Sequence, residues 1–318
     1  TKQEFVVSGH DLPLNLSIGL SSAESSHLSV EKLLREASLA VYKARQNEVN
    51  RVVEYSKSLE SESLQRLMME NSLRRALANN EFLLHYQPQF CSQRRIVTGC
   101  EALLRWKPAT TETLVPPLEF IPVLEDTGLI ESVGVWCLEE ACRQYMQWRN
   151  QGLEPITLSV NVSAGQFHSN NLLNTVTRIL NETQMDANCL CLELTESIVM
   201  KDIEKTLETL SALSEMDIKL SLDDFGTGYS SLTYLNQMNL SELKIDKSFI
   251  ENVPGSRASV SIVDTILGMA KTMELEVVAE GVETAEQLEF LKSKGCKTVQ
   301  GFYFSRPLPA EQFMSSIR

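Results

Sequence analysis

Histidine is scarce in this chain, with four in 318 residues. Only His85 and His168 fall where strands and helices alternate, and no His-Glu-x-x-His is present, which argues against a zinc hydrolase. Paired cysteine spacing is missing as well. None of the seven cysteines forms a Cys-x-x-Cys, so the chain is neither a zinc ribbon nor a disulfide scaffold. A reducing, cytoplasmic setting is expected, with Cys189 and Cys191 as core residues. No apolar run approaches the ~18 residues of a membrane-spanning helix, and no signal peptide is recognisable. The chain itself is therefore expected to make no membrane contact, which leaves room for it to be the cytoplasmic part of a larger, membrane-anchored protein. Cations are in short supply too. Lys and Arg number 29 against 42 Asp and Glu, a net charge of −13, which excludes a surface that grips a nucleic-acid polymer by its phosphates. An anionic substrate would need local positive charge to offset that field.

What is present is a rhythm. From Phe82 onward eight strand-like runs recur: "LLHYQPQ", "GCEALLRW", "TLSVNVS", "LCLELTES", "LSLDDFG", "ELKIDKS", "EVVAEGV" and "TVQGFYF". Most are separated by helical segments, one of which, "TAEQLEFLKSKG", carries Thr284 as N-cap, Gln287 as capping-box partner and Gly295 as stop. Strand–helix alternation predicts parallel pairing, and eight units in ~240 residues match a (β/α)8 barrel of the α/β class. An open doubly wound sheet is the alternative, but no Gly-x-Gly-x-x-Gly follows the first strand. Residues 1–56 hold an alternating strand "LNLSIGL", an amphipathic stretch and a short strand "RVVEYS", too little chain for a good core of its own. Residues 57–80 lack Gly and Pro and are rich in helix formers. They read as a helical linker whose apolar residues pack on a neighbour rather than form an independent coiled coil. Residues 81–318 form the barrel.

In such a barrel the active site sits at the C-terminal strand ends, and here those ends are loaded with polar groups. Glu101 and Arg105 share a face of the second strand. Asn161 follows on the third, Glu193 on the fourth, Asp223 and Asp224 on the fifth, Lys244 and Asp246 on the sixth, Glu280 on the seventh and Gln300 on the eighth. Buried carboxylates are costly unless paired or metal-bound, and several in one mouth raise one another's pKa values. Hard divalent ions such as Mg²⁺ or Mn²⁺ relieve this, and two of them form the usual clamp for displacement at phosphorus. Any single acid here has a plainer reading as a solvated rim residue or helix-dipole partner, as Glu280 and Glu283 do just before a helix. Adjacent residues on a strand point to opposite faces, so Asp223 and Asp224 can serve one site only where the strand breaks. Asp224-Phe225-Gly226 is not the kinase motif, since no Val-Ala-Ile-Lys strand or His-Arg-Asp loop accompanies it.

Taken together, "CEALLRW", "VNVSA", "ELTES", "DDFGTGYSSL", "LKIDKSFI", "AEGVET" and "QGFYFSRPL" resemble an EAL-domain cyclic di-GMP phosphodiesterase from about Leu73 to Arg318. The resemblance implies a modified TIM-like barrel with an antiparallel first strand, and Mg²⁺- or Mn²⁺-dependent hydrolysis of cyclic di-GMP to linear pGpG. It further implies a first metal on Glu101, Asn161, Glu193 and Asp223, and a second on Asp223, Asp224 and Glu280. Lys244 matches a lysine that contacts the attacking water, with Glu280 as its base. Gln87, Arg105, Asp246, Gln300, Phe302 and Arg306 match substrate contacts. Glu196, Thr227, Gly228, Tyr229 and Glu283 match loop support linked to regulation and to a homodimer, although a plain glycine turn would also explain that loop. A non-catalytic cyclic di-GMP receptor is the alternative, and the matched ligand set is intact. Residues 1–56 resemble the C-terminal part of a GGDEF (diguanylate cyclase) domain. Its Gly-Gly-Asp-Glu-Phe motif is absent, Ser38 replaces an aspartate and Glu48 a glycine, so no cyclase activity carries over. A longer tandem protein is expected.

Overall fold

The structure, a computed structural model, describes residues 4–7, 10–13, 16–22, 29–46, 51–169, 171–200, 202–226 and 232–317. Thr227, Gly228 and Tyr229 lie outside the described residues. Contacts divide the chain into two units, Thr1–Arg74 and Arg75–Arg318, the division falling inside the helix Lys57–Ala76. In the first unit the strands Ile18–Leu20 and Val52–Glu54 pair in parallel on either side, in sequence, of the helix Val30–Gln46. Ala40 and Ala44 of that helix are fully buried. A short hairpin, Glu4–Val7 with His10–Pro13, precedes them. In the helix Lys57–Ala76, Leu59, Leu73 and Ala76 are buried, whereas Leu64, Leu67 and Met68 are more than half exposed. Among the described residues no helix is long and apolar enough to cross a membrane.

The second unit is a closed eight-stranded barrel. Its strands are β1 (Phe82–Cys91), β2 (Val97–Trp106), β3 (Thr157–Asn161), β4 (Leu190–Thr195), β5 (Lys219–Phe225), β6 (Glu242–Ile245), β7 (Glu276–Ala279) and β8 (Thr298–Val299). These are the eight runs read from the sequence. From β2 to β8 every neighbour pairs in parallel, while β1 pairs antiparallel with both β2 and β8. A (β/α)8 barrel with a reversed first strand is the result. The reversal has a local cause, because only a tight turn separates two ten-residue strands, and a parallel pair would need a crossover of a dozen or more residues.

Helices cover the outside. The aromatic rings of Tyr86, Trp148 and Phe313, all nearly or fully buried, meet with centroids 4.6 to 6.1 Å apart. They fasten the helices Ile130–Asn150 and Ala310–Ser316 to the outer face of β1. Truncation of such a ring costs roughly 3–5 kcal/mol. The capping box read at Thr284 is formed, with Gln287 N donating to Thr284 Oγ1 at 3.2 Å and Thr284 N to Gln287 Oε1 at 2.9 Å. Gly295 follows the helix with φ +80°, the left-handed conformation that glycine adopts without strain.

Candidate active site at the mouth of the barrel

Period-two alternation turns Glu101, Asn161, Glu193 and Lys244 inward from β2, β3, β4 and β6. Lys244 is the hub. Its ammonium lies 2.7 Å from Glu193 Oε2, 2.7 Å from Glu280 Oε1, 3.3 Å from Asp223 Oδ2 and 3.5 Å from Glu101 Oε2, and it is only 1% exposed. Glu101 is held from two further sides, accepting from Asn161 Nδ2 at 2.8 Å and from Gln300 Nε2 at 2.6 Å. Gln300 also donates to Gln87 Oε1 at 3.2 Å, and Gln87 donates to the Ser305 carbonyl at 3.1 Å.

Four carboxylates cannot all stay ionised around one ammonium in a site this dry. Burial pushes Glu101 up, but Lys244 and the Gln300 and Asn161 donors outweigh it, and its carboxyl ends below the ordinary range. Burial and the Glu101 charge drive Glu193 well above that range despite Lys244. Burial likewise raises Glu280 to about 8. Lys244 resists the burial that would discharge it, because the surrounding acids hold it well above its usual value. In the metal-free chain these shifts favour the charged forms of Glu101 and Lys244 and the neutral forms of Glu193 and Glu280.

Asp223 reaches Lys244, and a break in strand register sets the exposed Asp224 beside it. Leu243 pairs with Leu222 and Ile245 with Phe225, so two aspartates stand opposite Lys244 alone. Such an extra residue is a β-bulge, which bends the strand and re-aims its side chains. Asp224 adopts φ +56°, and its N–H donates to Asp223 Oδ1 at 2.9 Å. Its carboxyl is raised by burial and by Asp223 and Asp246, and it feels Lys244 and Glu101 as well, which puts it within electrostatic reach of the cluster. A left-handed residue without a short polar side chain costs about 1–2 kcal/mol. Asp224→Gly and Asp224→Asn are therefore expected to leave thermal stability nearly unchanged, and Asp224→Val to lower it by about that amount.

An open cavity of about 260 Å³ lies above the cluster. Gln87, Glu101, Asp223, Lys244, Glu280, Glu283, Gln300 and Phe302 line it, together with Leu103, Lys247, Gly281 and Gly301. The last four were not singled out in the sequence. Lys247 sits inside the "LKIDKSFI" run, but its apposition to Glu283, 36 positions away, leaves no local signal. Phe302 is 45% exposed, with the Arg306 guanidinium 4.3 Å from its ring centre. Arg105, Asp224, Asp246 and Arg306 stand off the lining. Arg105 donates to the Leu104 carbonyl at 2.8 Å, and Asp246 caps a helical turn by accepting from Ser248 N at 3.0 Å. Glu196 is buried and accepts from Gly226 N at 3.4 Å, at the residue that follows β5.

The donor set suits a hard divalent cation. Its atoms are carboxylate and amide oxygens, and Glu193 Oε1 is buried without a hydrogen-bond partner among the described residues. Those oxygens now surround an ammonium, and among the described residues no three His, Cys, Asp or Glu side chains form a ready-made cage. An ion would share or displace the hold of Lys244 on them.

Comparison with known proteins shows the family. The EAL domain family model matches residues 70–307. Signaling protein YkoW of Bacillus subtilis is 40% identical over 312 residues, 98% of this chain and 39% of YkoW. The bifunctional diguanylate cyclase/cyclic di-GMP phosphodiesterase MucR of Pseudomonas aeruginosa is 38% identical over 315 residues, 99% of this chain and 46% of MucR. The chain thus spans less than half the length of these curated relatives. A solved structure of the PaMucR phosphodiesterase in complex with c-di-GMP superposes with a TM-score of 0.75 at 43% identity, covering 77% of this chain and 99% of that one. With a reversed-strand barrel, an acid-ringed lysine in its mouth and a family match across most of its length, the chain belongs to the EAL domain family.

Proposed function

We propose that this chain is a metal-dependent phosphodiesterase that opens cyclic di-GMP to linear pGpG. The observation that carries the reading is the buried lysine ringed by four carboxylates, one of them Asp223 at the bulge in β5. The similarity to a c-di-GMP-bound phosphodiesterase over nearly all of that domain supports the substrate.

Glu101, Asn161, Glu193, Asp223, Asp224 and Glu280 would hold two divalent ions, Mg²⁺ or Mn²⁺. Bound there, the ions supply Lewis-acid polarisation of the phosphodiester and a more acidic water. The chain's own groups do the rest. Gln300 and Asn161 fix Glu101 from two sides, so its oxygens do not wander. Lys244 offsets charge at the centre of the cluster. Glu280, at the cavity wall beside Lys244, is placed to take a proton from the attacking water. Gln87, Arg105, Asp246, Phe302 and Arg306 would bind substrate, Phe302 offering a guanine an aromatic face. Glu196 and Glu283 would support the loops at the rim.

The test is product analysis: purified chain with Mg²⁺ is expected to convert cyclic di-GMP to pGpG, and Glu101→Ala to abolish turnover. Tight binding without product at any Mg²⁺ or Mn²⁺ concentration would instead make the chain a receptor. Residues 1–56 belong, in this reading, to the C-terminal part of a GGDEF-like domain, and residues 57–80 link it to a barrel that pairs with a second copy. The parallel strands around the helix Val30–Gln46 and the similarity of 99% of this chain to part of MucR support the first assignment.

A further inference from the structure

Lys247 has no part in the chemistry above, yet it occupies the cavity wall. Its ammonium lies 2.7 Å from Glu283 Oε1 and 3.8 Å from Glu251 Oε1, and 5.9 Å from the ring centre of Phe302. Its stem fills the space that a side chain at position 281 would need. A Cβ there would fall 2.4 Å from Lys247 Cγ, and Gly281 has φ +69°. The wall is therefore built around the lysine stem.

Stability does not account for this arrangement. The side chains of Lys247 and Glu283 are 44% and 43% exposed, and an ion pair that open contributes at most about 1 kcal/mol. Charge accounts for it better. Lys244 is engaged by Glu101, Glu193, Asp223 and Glu280 and has nothing to spare for the rim. Glu283 thus faces the cavity with Lys247 as the cation at hydrogen-bond distance.

Resting on the phosphodiesterase reading, we infer that Lys247 is a positioning residue for substrate entry. By neutralising and holding Glu283, it lets a dianionic cyclic dinucleotide pass a rim that would otherwise repel it. The effect is on binding, with no role in the chemical step.

Steady-state kinetics and direct cyclic di-GMP binding on the full chain test this. Lys247→Met is expected to raise KM about tenfold, with kcat within about twofold and the melting temperature unmoved. The defect should shrink at 0.5 M salt, where screening is strong, and Lys247→Arg should restore the wild-type KM. In a Glu283→Gln background, Lys247→Met should change KM by less than about twofold, because the charge it neutralised is gone. The same tenfold rise in that background would overturn the inference, pointing to direct phosphate contact. A parallel fall in kcat and melting temperature would overturn it as well, by making the lysine a structural prop. An unchanged KM in a wild-type chain that binds and turns over substrate sinks the inference alone. No binding or turnover by the wild-type chain sinks the phosphodiesterase reading and this inference with it.

Discussion

Lys244→Met is expected to lower turnover of cyclic di-GMP by a factor of about 10³ and to destabilise the chelator-treated chain by about 3–5 kcal/mol. The ammonium sits within 3.5 Å of four carboxylates and is almost wholly buried. Removing it leaves acids facing one another with no cation among them. Those still ionised must then take a proton or move toward solvent, and the supporting bonds from Asn161 and Gln300 to Glu101 are put at risk. For a unit of this size, 1 kcal/mol shifts the melting temperature by about 2–4 °C, so the loss is readily seen by thermal unfolding. A divalent ion replaces the missing positive charge. Mn²⁺ is therefore expected to raise the melting temperature of the variant by more than that of the wild-type chain. A variant that melts with the wild type in chelator would show that the carboxylates do without the ammonium.

Chelation is expected to abolish turnover, and the ion concentration needed to restore it to fall as pH rises toward about 8. Glu280 is raised from an ordinary value near 4.5 to about 8, so in the metal-free chain an incoming ion must first displace its proton. Below that value each pH unit gained strengthens apparent ion affinity up to tenfold per proton released, and above it the dependence flattens. Stability runs the other way. A carboxyl whose pKa is raised by folding favours the fold fully below its unfolded value, and this contribution is lost as pH climbs through about 8. The metal-free chain is thus expected to lose stability between about pH 4.5 and 8, and the loaded chain to lose much less. Titration of Mn²⁺ binding at several pH values, paired with melting curves, checks both signs. Ion affinity independent of pH across this range would remove Glu280 from the ligand set.

Much of this molecule is legible in its sequence, for physical reasons that also explain the remainder. The eight strands are visible because each is an apolar run interrupted by polar residues at a period of two, and the capping box at Thr284 and Gln287 because it is a local pattern. The reversal of β1 has no compositional trace; the motifs supplied it by resemblance, and the short turn into β2 supplies its cause. The acids at the strand ends could be gathered on one mouth from alternation alone, apart from Asp224. Its φ of +56° and the slipped register beside Lys244 depend on pairing with β6, which adjacent letters do not encode. The role of Lys244 as hub was equally hidden, since a lysine in "ELKIDKS" reads the same whether it meets one acid or four. Arg105 and Asp246 show the opposite limit. Their positions match substrate-contacting ones, yet one hydrogen-bonds a neighbouring carbonyl and the other caps a helical turn.

The seam between β8 and β1 links this geometry to the order in which the chain assembles. β8 contributes two residues, Thr298 and Val299, which meet Cys91 and Phe90 across more than two hundred positions of sequence. Closing so long a loop is slow, whereas the β1–β2 hairpin can form early from neighbouring residues. The barrel is thus expected to shut last along its shortest strand. The Gln300–Glu101 hydrogen bond lies across that closure, so the competent mouth is a late event of folding. A ligand seated on both residues fastens the final strand to the first two, and its tight binding would be felt as slower opening of the whole barrel.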